Sequence, residues 1–83
     1  MTLPRDLSGD DLARSLRRHY GYRFVRQQGS HMTVTTEIDG VEYSVTIPQH
    51  RQVKVGTLGR IISEVAEQVG LPRAEVRRAL FGR

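Results

Sequence analysis

Cysteine is absent from the 83 residues, which removes a disulfide framework, a thiolate nucleophile and the usual structural zinc sites, and points to a cytoplasmic chain. No apolar run approaches the roughly 18 residues of a membrane span. The stretch Met1 to Leu12 has neither the positive patch nor the apolar core of a signal peptide, so neither export nor a membrane partner is expected. A chain this short buries roughly 60–65% of the surface that its unfolded form exposes. A single domain over residues 1–83 is therefore expected, with any chemistry on its surface rather than in a deep cavity. Lysine is almost missing: of 13 cations only Lys54 is lysine, against 9 acids, for a net charge of +4. That excess permits a nucleic-acid partner without requiring one, and where the charges fall matters more than their sum.

Histidine is sparse as well. His19, His31 and His50 stand far apart, with no His-x-His or His-Glu-x-x-His spacing, so no metal site is expected. Gly56-Thr57-Leu58-Gly59 lacks the spacing and the lysine of a phosphate-binding P-loop and reads better as a helix start. No small-molecule cofactor is expected. The sequence contains no internal repeat and no low-complexity stretch.

What is present reads as an α+β domain. Ser8 followed by Asp11 forms a capping-box start, and Leu12, Leu16 and Tyr20 then share one helix face, with Arg14, Arg17 and Arg18 pointing away and Gly21 ending the helix. Strands follow over 22–27, 31–38 and 41–47, the last stopped by Pro48. The dipeptide Asp39-Gly40 suits a two-residue hairpin turn and fixes the register. Ile38 then faces Val41, Thr36 faces Tyr43, Val34 faces Val45 and Met32 faces Ile47 on the core side. Glu37 faces Glu42, Thr35 faces Ser44, Thr33 faces Thr46, and His31 faces Pro48 on an outer side open to solvent. A second helix starts at Gly56-Thr57 and buries Leu58, Ile61, Ile62, Val65 and Val69. A third has Pro72 in its first turn, with Val76, Ala79 and Leu80 inward and Arg73, Arg77 and Arg78 outward. The expected order is α-β-β-β-α-α, a three-stranded antiparallel sheet with helices on one face.

Charge is divided along the hairpin. Glu37, Asp39 and Glu42 sit at its tip, whereas Arg26, His31, His50, Arg51 and Lys54 gather at the other end, where a polyanion would be attracted. An exposed histidine beside cations is what metal-free RNA cleavage requires, since one group must move the 2′-hydroxyl proton while others hold the phosphate. His50, placed at the same end by extending the register, is a candidate acid partner. Composition and spacing alone favour a plainer reading of His31 as a solvent-exposed histidine on a polar face, and His50 reads equally well as a loop residue. Ser30 is next to His31, but strand neighbours point to opposite faces, which argues against a nucleophile pair. The run from Val65 to Leu71 with Val76 imitates a helix-turn-helix, and equally fits two helices packed across a Gly-Leu-Pro turn.

Leu7-Ser8-Gly9, Gly21-Tyr22, Arg26-Gln27-Gln28-Gly29-Ser30-His31, Ile47-Pro48-Gln49-His50 and Gly56-Thr57-Leu58 with Ile61-Ile62 occur in an order that resembles the HicA family of toxins from bacterial toxin–antitoxin pairs. The likeness runs from about Leu7 to Leu80. It implies a fold like a double-stranded-RNA-binding domain, an mRNA endoribonuclease that arrests translation, and neutralisation by a HicB-type antitoxin; the histidine-and-cation chemistry above makes that cleavage metal-independent. The family's catalytic histidine falls on His31. Arg26, Ser30, His50, Arg51 and Lys54 stand as candidate RNA contacts. Gly59 departs from the pattern, since the family often has a basic residue there. The competing expectation is a non-catalytic RNA- or DNA-binding module.

Overall fold

The computed structural model describes residues 6–82, so the start of the N-terminal stretch and the last residue of the 1–83 unit lie outside the described residues. The elements are α1 (Gly9–Tyr20), β1 (Arg23–Gln28), β2 (His31–Ile38), β3 (Val41–Pro48), α2 (Val55–Val69) and α3 (Arg73–Phe81). The fold is α+β in the expected order, and the sheet is antiparallel with strand order β1-β2-β3. Ser8 caps α1 by accepting from the Asp11 amide at 3.0 Å. Gly21 closes the helix in the left-handed region, donating to the Arg17 carbonyl.

The β2–β3 register is the one that Asp39-Gly40 dictates, from Ile38 opposite Val41 to His31 opposite Pro48. Asp39 takes φ 52° and Gly40 φ 80°, the double positive φ of a tight hairpin turn. The core joins Met32, Val34, Val45 and Ile47 of the sheet to Leu12 and Leu16 of α1, Leu58, Ile61, Ile62 and Val65 of α2, and Val76 and Leu80 of α3. Each such side chain contributes about 1.5–3 kcal/mol by leaving water. The hairpin tip projects past this layer, so Val41, expected on the core side, is half exposed, and Ile38 and Tyr43 are only partly covered.

Four expectations are corrected. Thr35, on the outer side, is buried at 4% exposure, because it is a short side chain on the central strand and is held at 2.9 Å by Ser44 Oγ. Pro72 is the N-cap of α3 rather than part of its first turn. Arg73 does not point away: its Nε donates to Ser63 Oγ at 2.7 Å and its Nη2 to the Gly59 carbonyl at 3.0 Å, tying α3 to α2. Arg77 is half-buried, with its Nε unpartnered.

β1 contains a feature that strand alternation does not reveal. Phe24 pairs with Val34 and Arg26 with Thr33, so Val25 is an extra, bulged residue between them. The bulge moves Arg26 from the side that Phe24 occupies to the outer side that Thr33 occupies.

Candidate active site

His31 opens β2 and sits on the outer side of the sheet, between Gln28 of β1 and Pro48 of β3. The chain leaves β3 at Pro48 and must reach α2 through residues 49–54, a short loop pinned at several points. The Gln49 amide donates to the Ser30 carbonyl, the Gly9 amide donates to the His50 carbonyl at 2.9 Å, and the Val53 amide donates to the Leu7 carbonyl at 2.8 Å. The Gln49 side chain accepts from Gln27 Nε2 and donates to Asp10 Oδ1 at 3.2 Å. Val53 is buried in the core. Gly9 permits this closeness, since a Cβ there would lie 2.1 Å from the Pro48 carbonyl oxygen.

The pinned loop completes an open groove of about 350 Å³ lined by His31, Thr46, Pro48, His50, Lys54, Thr57 and Arg60. Both histidines, two cations and two hydroxyls thus converge from β2, β3, the loop and the start of α2. The helix start adds to the positive field. Lys54 is the N-cap, no side chain caps the first turn and no acidic residue stands in it, so the amide end of the α2 dipole borders the groove uncompensated. Such a terminus favours anions.

Of the residues singled out from sequence, His31, His50 and Lys54 line the groove together. Arg26, Ser30 and Arg51 do not. Arg26 is on the same side of the sheet, one register row away at Thr33; Ser30 is in the β1–β2 turn, with its carbonyl engaged by Gln49; Arg51 is exposed in the loop. Thr46, Thr57 and Arg60 were not anticipated as site residues. A signal for Arg60 was available: it lies one helical turn beyond Thr57, off the apolar stripe of Leu58, Ile61 and Ile62. Arg60 donates to Glu64 at 2.8 Å with both side chains about half exposed. A pair of that kind is worth under about 1 kcal/mol and can be given up to a polyanion.

Among the described residues no three His, Cys, Asp or Glu side chains come together as a metal site. No helix among them is long and apolar enough to cross a membrane. The arrangement can hold an anion at its cationic wall and exchange protons with it through two imidazoles.

A family model described as the HicA toxin of bacterial toxin–antitoxin matches residues 9–71. No curated protein and no solved structure matches the chain. The matched span contains every residue of the groove and most of the framework that builds it, and the chain belongs to the HicA family of toxins, whose members work in toxin–antitoxin systems with an antitoxin partner.

Proposed function

We propose that this protein is an endoribonuclease that cuts mRNA in the groove and so arrests translation. The observation that carries the reading is the convergence of His31 and His50 with Lys54 and Arg60 around one open groove. In that reaction the ribose 2′-oxygen loses its proton and bonds to the adjacent phosphorus. The P–O5′ bond breaks as the leaving oxygen gains a proton, and the products are a 2′,3′-cyclic phosphate and a 5′-hydroxyl. His31 serves as the base or the acid of this exchange and His50 as its counterpart, while Lys54, Arg60 and the start of α2 hold the phosphate's charge. The proton transfers fall to imidazoles, so the route requires no divalent ion. A HicB-type antitoxin with an acidic face suits the basic rim and would close the groove by covering His31. A single cytoplasmic domain over residues 1–83 fits this role.

A nucleic-acid module acting through α2 and α3 is less well supported. Arg73, which such a module would present to its target, is bonded to Ser63 and Gly59 within the fold.

Induced expression tests the reading in cells. Wild type should stop growth and fragment mRNA, and His31→Ala, folded by circular dichroism, should do neither. Equal toxicity and fragmentation by both proteins would remove His31 from catalysis.

A further inference from the structure

The outer side of the sheet continues beyond the groove, and its side chains fall in register rows. Gln28, His31 and Pro48 form the first row, Arg26, Thr33 and Thr46 the second, and Arg23, Thr35 and Ser44 the third, before Glu37 and Glu42. Thr46 belongs both to the groove wall and to the second row. From it a line of hydroxyls leads across β2 to two cations on β1. Arg23 and Arg26 are both exposed, and among the described residues neither has a carboxylate partner. Arg26 is on this side because of the bulge at Val25. Bulges beside active sites commonly re-aim a side chain in this way.

We propose that this face is the binding site for the nucleotides flanking the cut, holding a single RNA strand by its backbone as it runs from the groove across β3 and β2 to Arg26 and Arg23. The inference rests on the ribonuclease reading and adds a footprint and a mode of recognition to it. Strands lie about 4.8 Å apart, so Arg26 stands about 10 Å from Thr46 across the sheet. Phosphates along one nucleic-acid strand rise about 3.4 Å each along the axis when stacked and stand further apart when extended, which brings the next one or two phosphates within reach of the long Arg side chains. Thr33 and Thr46 present hydroxyls between them, suited to the ribose 2′-hydroxyl and phosphate oxygens. Glu37 and Glu42 close the far end of the face by repulsion, directing the strand across the sheet rather than along the hairpin.

The rows named contain no Phe, Tyr or Trp, their one aromatic ring being the His31 imidazole at the groove, and Phe24 and Tyr43 belong to the opposite side. Without a stacking platform this face grips phosphate and sugar and reads bases little. Flanking nucleotides should therefore raise affinity with small dependence on their sequence.

The test compares kcat and KM for a dinucleoside monophosphate and an octaribonucleotide containing it, using wild type and Arg23→Glu/Arg26→Glu, at several salt concentrations. Wild type should prefer the octamer through a lower KM. The double variant should lose most of that preference, about tenfold or more, through KM rather than kcat. Its salt slope on the octamer should be shallower by about 0.7 for each phosphate that is no longer held. Scrambling the bases outside the cut should change the wild-type preference less than twofold. A double variant with the wild-type octamer preference, or with a kcat loss equal on both substrates, would overturn the inference while leaving the ribonuclease reading intact. A wild-type protein that cuts neither substrate would overturn both.

Discussion

Replacing Gly9 with alanine puts a methyl carbon 2.1 Å from the Pro48 carbonyl oxygen and 3.1 Å from the Gln49 Cα. Both obstacles are backbone, so no side chain can swing away, and the first turn of α1 must part from the loop by more than about 1 Å to restore ordinary contact. That movement acts on the Gly9 amide bond to the His50 carbonyl and the Val53 amide bond to the Leu7 carbonyl, each worth about 1 kcal/mol. With some strain remaining in the Pro48–Gln49 peptide, the cost should be about 2–4 kcal/mol, against a total stability of about 4–12 kcal/mol for a chain of this length. A domain of this size loses about 4–8 °C in Tm per kcal/mol, so the melting point should fall by roughly 8–32 °C. Gly56→Ala is the matched control, because a Cβ there meets nothing within 4 Å and alanine is the better helix former. Thermal melts followed by circular dichroism measure both variants, and the His50 ring signals in an NMR spectrum report whether the loop has moved. The reasoning is refuted if Gly9→Ala melts within 2–3 °C of wild type, or if it melts low while the His50 signals stay in place.

Other consequences follow from the same structure. Hydrogen bonds from Ser8, and then Arg14, hold the Asp11 carboxyl below its ordinary value of 3.8; the stability this supplies is present above that pH and is lost as pH falls further. Asp11→Asn should therefore melt below wild type at pH 7, with the gap closing in melts taken below pH 3.8. Burial, and then Glu64, push the Tyr22 phenol up to about 12, so its contribution is complete below about pH 10 and is lost as pH rises toward 12. Tyr22→Phe should flatten that alkaline loss while lowering stability at neutral pH by about 1–2 kcal/mol, measured by urea unfolding, because Gln68 Oε1 loses the donor now at 2.7 Å. In RNA cleavage assays Arg60→Ala should raise KM several-fold and lower kcat, whereas Glu64→Gln, which frees the Arg60 guanidinium, should lower KM at low salt.

Much of this architecture is readable along the chain, and the reasons differ by element. Asp-Gly between two alternating runs leaves one plausible register, and with it the outward placement of His31 follows at once. The bulge at Val25 is not legible, because Arg23 to Gln28 is polar or mixed on both sides and no apolar alternation pins the pairing. Gly9 reads as an ordinary residue at a helix start; its role depends on the Pro48 carbonyl, a neighbour 39 positions away. Arg73 looks like one more exposed cation, and only the packing angle of α3 on α2 brings it to Ser63 and Gly59. Arg60 is legible from its place off the apolar stripe of α2 but easily passed over: its neighbour Gly59 occupies the position where the family pattern directs attention, and the cation that faces the groove is one residue further along.

The most direct test of the central claim is end-group analysis of RNA cut by the purified protein in excess chelator, for wild type and His31→Ala side by side. The account predicts 2′,3′-cyclic phosphate and 5′-hydroxyl ends from wild type, and a rate about 10²–10⁴ lower from folded His31→Ala. Cleavage that stops in chelator, or that proceeds at the wild-type rate without the His31 imidazole, would contradict it.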